Sequence, residues 1–225
     1  MESLFVGGIV SLSTIDYPGH LATVIFFQGC PWRCGYCHNR HLQSISPEEA
    51  LPWDDILNLL KIRQGFVEAA VFSGGEPLMQ TCLVEAIRDV KDMGFKIGLH
   101  TSGAFPDRFA RVLPFVDWVG FDIKHAFERY QDVTCVTNSG VLARESLDLL
   151  IASGVDFEVR MTLYEKVDVP AVVGVLKGIS ALGVKTVALQ KCRDKNENIV
   201  EHPIFSDKLL LEDISKYFNN FSIRG

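Results

Sequence analysis

Short apolar runs that alternate with helical patterns constrain the fold of this 225-residue chain more than any other feature. Six runs rich in β-branched and aromatic residues are almost continuously apolar, which is typical of parallel strands covered by helices. We predict strands at residues 22–28, 69–73, 96–100, 118–123, 157–163 and 185–190. Six strand–helix alternations predict an α/β fold with a parallel sheet. On this pattern alone, a doubly wound open sheet and a partial barrel both remain possible.

Helical patterns with recognisable ends separate these strands. Ser46 is predicted to cap the first helix, with Pro47 at its first position and Glu49 completing a capping box. Three further helices are followed closely by a glycine and are predicted at residues 83–93, 142–152 and 172–182. A last helix is predicted at residues 207–218. The chain shows no linker, repeat or low-complexity segment, so we predict a single domain over residues 1–225.

Composition and charge exclude several classes of protein. Hydrophobic residues make up 48% and charged residues 22%, as in an ordinary globular protein. The net charge of −6, without any dense Lys/Arg cluster, argues against nucleic acid as a partner. The first ten residues lack the pattern of a signal peptide, and the longest apolar stretch, 22–27, is too short to cross a bilayer. We therefore expect a cytoplasmic protein with no membrane partner.

A cysteine cluster of the form C-x3-C-x2-C follows the first predicted strand and consists of Cys30, Cys34 and Cys37. Thiolates select zinc, copper(I) or iron–sulfur clusters. His38 or His41 would complete a zinc site, whereas three thiolates on a four-iron cube would leave one iron open to a substrate. The spacing alone leaves both possibilities open. The scattered remaining cysteines are expected to be small buried core residues: Cys82, Cys135 and Cys192.

Polar residues and glycines follow the ends of the predicted strands. Reactive groups of parallel α/β folds gather at the C-terminal ends of the strands. We therefore expect one rim of the molecule to collect the cysteine loop, the segment 73–77, Thr101, Ser102, Asp122, Lys124, Arg160 and Gln190.

Two of these motifs together resemble a known family. Residues 30–39, with Tyr36 before the last cysteine, resemble the cluster loop of the radical S-adenosylmethionine (SAM) enzymes. Residues 73–77, Ser-Gly-Gly-Glu-Pro, match the second signature of that family. The two motifs, in this order and after consecutive strands, favour an iron–sulfur cluster over zinc. The resemblance implies a partial (β/α)6 TIM-like barrel with parallel strands, a 4Fe–4S cluster held by the three cysteines, and SAM as second cofactor.

The resemblance also implies which residues bind the cofactor: Tyr36, His38, Gly74, Gly75, Glu76, Thr101, Ser102, Asp122, Lys124 and Arg160. Tyr36 and His38 are expected to flank the adenosyl group, and Gly74 and Gly75 to run along the methionyl moiety. The carboxylate of Glu76 is able to face the ammonium group of that moiety. Thr101 and Ser102 are expected at the ribose or carboxylate, and Lys124 suits the carboxylate. Arg160 either assists Lys124 or forms a salt bridge in the barrel. No side chain is expected to be catalytic beyond cluster and cofactor, because the chemistry is homolytic.

Residues 13–19 and the triplet Cys37-His38-Asn39 are similar to the activating enzymes of glycyl radical enzymes. Tyr17 makes the first segment similar to the longer form of the anaerobic ribonucleoside-triphosphate reductase activating protein. This resemblance implies a 5′-deoxyadenosyl radical that takes a hydrogen from a backbone glycine of that reductase. Reduced flavodoxin or ferredoxin is the implied electron donor.

Two alternatives remain at this level. One is a radical SAM enzyme acting on a small molecule, such as the 7-carboxy-7-deazaguanine synthase type, which usually shows C-D in place of C-H-N. The other is a non-catalytic zinc or electron-transfer module. His100 stands where relatives often carry an aspartate, which puts a monovalent-cation site there in doubt. The scattered cysteines do not form an additional ferredoxin-like segment, so one cluster is predicted.

Overall fold

A single eight-stranded sheet forms the centre of the computed structural model, which describes residues 4–194, 196 and 198–225. The strands follow one another in sequence order: β1 (Val6–Ser13), β2 (Ala22–Phe27), β3 (Ala69–Gly74), β4 (Lys96–Thr101), β5 (Trp118–Asp122), β6 (Asp156–Leu163), β7 (Thr186–Lys191) and β8 (Asn220–Arg224). β1 is antiparallel to β2, and each later pair is parallel. β1 and β8 do not pair with each other among the described residues, so the barrel is open. The predicted partial barrel is confirmed, and an unpredicted strand is added at each edge.

Among the described residues, seven α-helices connect the strands: α1 (Trp53–Arg63), α2 (Leu83–Asp92), α3 (Pro106–Val112), α4 (Tyr130–Thr134), α5 (Ser139–Ser153), α6 (Val169–Ala181) and α7 (Lys208–Ser215). The strands bury both faces. Ile25 and Phe27 of β2 belong to the large cluster formed with the helices. Val24 belongs to a small cluster inside the barrel, because successive strand residues point to opposite faces. In that inner cluster Tyr17 stacks on Trp118 with ring centroids 5.3 Å apart.

The predicted start of the first helix is wrong. Residues Pro47–Glu49 form one 3-10 turn, and the side chain of Ser46 makes no capping hydrogen bond. The backbone N–H of Leu51 instead donates to the Val6 carbonyl at 2.8 Å, which fixes an extended conformation. Because Leu51 also precedes a proline, it disfavours helical geometry, and α1 begins two residues later.

The expectation that all three scattered cysteines are buried is wrong in part. Cys192 is buried, Cys82 is half-buried at the start of α2, and Cys135 is exposed. Cys135 ends α4 in a left-handed conformation with φ 58°, which turns it out of the core. Within the described part of the chain, every helix is too short or too polar to cross a membrane.

Candidate active site

A cavity of about 590 Å³ lies at the C-terminal ends of the parallel strands. Residues at or after the ends of β2 to β8 all contribute to its wall, so the open sheet curls around it. Every predicted site residue except Glu76 lines this cavity: Cys30, Cys34, Cys37, Tyr36, His38, Gly74, Gly75, Thr101, Ser102, Asp122, Lys124 and Arg160. The structure therefore brings the expected set together, while the role of each residue toward a ligand stays a prediction.

The cysteine loop is anchored at its start and in its middle. The backbone N–H of Cys30 donates to the Gln43 carbonyl at 3.1 Å, and that of Arg33 donates to the Thr134 carbonyl at 2.9 Å. Trp32 is buried between them and meets the ring of Tyr130 edge-on, with centroids 5.8 Å apart. Because backbone and side-chain contacts both fix this loop, its three thiol groups are presented on a rigid support.

The thiols are poised for a metal rather than for free thiolate chemistry. Burial raises the pKa of Cys30 to about 12, and burial also raises the pKa of Cys34. The Lys124 ammonium group acts in the opposite direction on both thiols but does not reverse these pKa shifts, so the two groups stay protonated at neutral pH. Neither they nor Cys37 form a disulfide. A metal that binds them must displace the protons, as metal–thiolate binding requires.

The chemistry of the donor set allows the three thiols to hold a cluster. A single zinc ion needs every ligand within about 2.3 Å of one point, whereas the ligands of a four-iron cube bind separate irons. Of the two histidines proposed as a fourth zinc ligand, His38 lines the cavity and His41 does not. Three thiols from one loop fit a 4Fe–4S cluster with one iron open.

Glu76 is placed differently from the expectation. Its carboxylate is fully buried and accepts hydrogen bonds from Thr101 Oγ1 (2.6 Å), Ser102 Oγ (2.7 Å), Ser102 N (3.0 Å) and Leu78 N (3.2 Å). Burial raises the pKa of Glu76, while these four donors act in the opposite direction. A carboxylate with four internal partners is not available to face a ligand's ammonium group. It instead joins the turn after β3 to the turn after β4.

A charged triad forms one wall of the cavity. Arg160 Nε donates to Asp122 Oδ1 at 2.9 Å, and Lys124 Nζ lies 3.4 Å from Asp122 Oδ2. Burial by itself raises the pKa of Asp122, but Arg160 and Lys124 outweigh it, so that pKa lies below its usual value. Burial lowers the pKa of Lys124, yet the Asp122 carboxylate raises it well above the usual value. The wall therefore carries one more positive than negative charge, which suits a carboxylate ligand.

His100 of β4 connects the cavity wall to the segment before β2. Its Nε2 lies 2.8 Å from the Asp16 carbonyl oxygen, and its Nδ1 lies 3.2 Å from Ser73 Oγ. Burial, assisted by the nearby Arg160 guanidinium, lowers the pKa of His100 to about 3. The ring is therefore neutral at physiological pH. The position at which the sequence put a monovalent-cation site in doubt therefore holds an uncharged group.

Tyr36 stacks on Tyr164, with ring centroids 4.5 Å apart and an interplanar angle of 27°. Its hydroxyl group is buried and has no hydrogen-bond partner in the described part of the chain. Burial raises the pKa of Tyr36 above its ordinary range, so the phenol stays protonated. A buried donor without a partner is uncommon, and here it stands in the cavity wall between the cysteines.

Sequence reasoning missed three charged residues of this cavity: Lys191 and Arg193, at and just after the end of β7, and Arg224 of β8. The Arg224 guanidinium forms a two-point ion pair with Glu158, at 2.8 Å and 2.6 Å. The alternation of apolar and polar residues in Asn-Phe-Ser-Ile-Arg was the available signal for a strand. Because the segment is only five residues long and follows a helix, that signal was weak.

Comparison with known proteins gives the family. The model of the Radical SAM superfamily matches residues 24–173. A Methanocaldococcus jannaschii protein, named by inference a glycyl-radical enzyme activating enzyme, is 30% identical over 236 aligned positions, which cover 97% of this chain and 95% of that protein. The pyruvate formate-lyase-activating enzyme of Clostridium pasteurianum is 32% identical over 140 positions, covering 60% of this chain and 58% of that enzyme.

Solved structures support the fold. QueE from Escherichia coli superposes with a TM-score of 0.58 at 14% identity, covering 96% of this chain and 92% of that one. SuiB from Streptococcus suis superposes with a TM-score of 0.66 at 10% identity, covering 88% of this chain and 47% of that one. At such low identity these similarities concern the fold alone.

Proposed function

This chain belongs to the radical SAM superfamily, and we propose that it is an activating enzyme that installs a glycyl radical on an anaerobic ribonucleotide reductase. The observation that carries the activating role is the similarity to the Methanocaldococcus jannaschii protein, which extends over 97% of this chain. The choice of reductase rests on Tyr17 within the segment 13–19.

With a 4Fe–4S cluster and SAM bound, the cluster, once reduced by an external donor, would pass one electron to SAM, which would split into methionine and a 5′-deoxyadenosyl radical able to take a hydrogen atom from the target glycine. The protein's residues do the positioning. The three cysteines hold the cluster on the anchored loop, and the excess positive charge of the Asp122–Lys124–Arg160 wall attracts the carboxylate of SAM.

The turn that includes Gly75 runs beside the cysteine loop and supports the same assignment. Its N–H donates to the Phe27 carbonyl, and the next N–H donates to the Gly29 carbonyl, both at 2.8 Å. Backbone this close to the cysteine loop is suited to hold the amino acid part of SAM against the cluster. Glu76 keeps the turn in place from behind rather than binding SAM with its carboxylate.

The test is an anaerobic mixture of reconstituted protein, SAM, reduced flavodoxin or ferredoxin, and an anaerobic ribonucleotide reductase. We expect a glycyl doublet in the EPR spectrum of the reductase, and no doublet when its radical-bearing glycine is replaced by alanine. A doublet on pyruvate formate-lyase alone would refute the choice of reductase but keep the activating role. Turnover of SAM with a small molecule, without a radical on any protein, would refute both.

A further inference from the structure

Arg224 lies at the boundary of two cavities. It lines the cysteine-containing cavity and also a second cavity of about 620 Å³, whose wall includes Trp118, Glu158 and Ser222. The cysteine loop lines only the first of the two. The guanidinium therefore lies where the first cavity meets the second, and the cysteine loop does not reach into the second cavity.

The ion pair with Glu158 orients Arg224 without using all of its hydrogen-bond donors. Nη1 donates to Oε1 at 2.8 Å and Nη2 to Oε2 at 2.6 Å. The Glu158 side chain is 4% exposed, whereas that of Arg224 is 32% exposed. A guanidinium has five N–H groups, so three remain beyond this pair. Glu158 thus acts as a buried support that holds a partly exposed donor group in one orientation.

Arg224 also stands on an edge of the open barrel. β8 pairs with β7 on one side and with no other strand of the described chain on its outer side. Ser222, two residues earlier and on the same face, has a buried hydroxyl group without a hydrogen-bond partner in the described chain. An open strand edge with unused donors is suited to bind an extended main chain.

The wall proposed to attract the carboxylate of SAM does not include this arginine. Lys124 and Arg160 already supply positive charge beside Asp122 on the wall formed by β5 and β6. Arg224 is two strands further along the sheet, on the edge strand β8. The target of a glycyl-radical activating enzyme is a main-chain Cα–H, so the groups next to it are peptide carbonyls, which accept hydrogen bonds from a guanidinium.

We propose that Arg224, held by Glu158, binds main-chain carbonyl oxygens of the partner's glycine-bearing segment and positions the target glycine in the cavity. This inference rests on the proposed activating function. It makes Arg224 a specificity-determining residue for the partner and gives it no role in SAM cleavage itself.

The experiment separates the two half-reactions in cluster-loaded enzyme. Release of 5′-deoxyadenosine with reductant alone measures SAM cleavage, and the glycyl EPR signal with the reductase measures transfer to the partner. Arg224→Lys keeps the charge but loses the two-point geometry. Because a lone buried Glu158 destabilises the fold, the second variant is the double substitution Glu158→Gln with Arg224→Gln. Arg144→Gln, at an exposed arginine paired with Asp148 on α5, is the matched control.

Both Arg224 variants are expected to form the glycyl radical about tenfold more slowly or worse, with a raised KM for the reductase, as loss of a charge-assisted hydrogen bond implies. SAM cleavage without partner should stay within about twofold of wild type by the same argument, and Arg144→Gln should match wild type in both assays. Equal loss of both half-reactions would overturn the inference, because Arg224 would then serve the cofactor. Unchanged transfer in correctly folded variants would also overturn it. Wild type that cleaves no SAM would instead refute the proposed function.

Discussion

His100 is the residue that joins the most separate parts of the cavity wall. The backbone carbonyl oxygen of Asp16 only accepts hydrogen bonds, so Nε2 of His100 carries the proton and donates to it. Nδ1 then has no proton and accepts from the Ser73 hydroxyl. One neutral tautomer satisfies both contacts. The ring also meets Trp118 edge-on with centroids 5.7 Å apart. A protonated ring would reverse the Ser73 contact, with Nδ1 donating to Oγ, and would place a positive charge in a buried site near the Arg160 guanidinium.

The buried neutral ring predicts a pH dependence of stability. In the unfolded chain His100 titrates near its ordinary pKa of 6.5, whereas in the folded chain its pKa is about 3. As the pH falls below 6.5 the unfolded state therefore binds the extra proton, and stability is lost. From pH 7 to pH 5 the loss due to this residue is about 2 kcal/mol.

Urea unfolding of the metal-free chain and of a His100→Gln variant measures this effect. The difference between their free energies of unfolding should shrink by about 2 kcal/mol between pH 7 and pH 5. The control is the same pair of proteins between pH 8 and pH 7, where the His100 ring is mostly neutral in both states and the difference should change by less than about 0.3 kcal/mol. A constant difference between pH 7 and pH 5 as well would mean that the ring is not held neutral.

Glu76 shows how far single residues were predictable from the sequence. The motif located it at the correct turn, because glycines and proline define that loop. The direction of its side chain was not predictable, since it depends on Thr101 and Ser102, which are distant in sequence. The same limit applies to Arg224 and Glu158, whose ion pair joins residues on two separate strands.

At the scale of elements, the six inner strands were predictable and the two edge strands were not. The inner strands are covered on both faces, which gives continuous apolar runs in the sequence. β1 contains two adjacent glycines and is half-exposed along most of its length, and β8 is short. Burial therefore leaves only a weak signal in the sequences of β1 and β8, although these two edge strands determine where the barrel is open.

The turns after β2 and β3 are packed so closely that only glycine fits at position 75. A Cβ atom there would lie 2.3 Å from the Gly29 carbonyl oxygen, next to Cys30. Gly75→Ala should displace the cysteine loop, because backbone atoms cannot move aside as a flexible side chain does. We expect loss of most of the iron–sulfur absorbance after reconstitution, together with a destabilisation of about 1–3 kcal/mol.

The control for this variant is Gly178→Ala in α6, where a Cβ would meet nothing within 4 Å. It should bind iron normally and gain about 0.5–1 kcal/mol, since alanine is the better helix former. Normal iron content in Gly75→Ala would show that the two turns are not coupled.

The whole barrel divides into an apolar and a polar part. Inside β2 to β5 the small cluster around Tyr17 and Trp118 fills the space. Inside β5 to β8 the wall carries charged groups instead, namely Asp122, Glu158, Arg160 and Arg224. The apolar part closes one end of the barrel, and the polar part leaves space beside the cysteine loop. The parallel sheet alone predicted that the site residues gather at one rim. The division of the barrel into an apolar and a polar part was visible only in the three-dimensional structure.

The central claim is that three cysteines of one loop hold a cluster that cleaves SAM. The direct measurement is release of 5′-deoxyadenosine from iron-reconstituted, dithionite-reduced protein supplied with SAM. Wild type and Cys135→Ala, which alters an exposed cysteine outside the loop, should release it, and Cys34→Ala should release none. Release by Cys34→Ala, or wild type that holds one zinc and no iron and releases none, would contradict the claim.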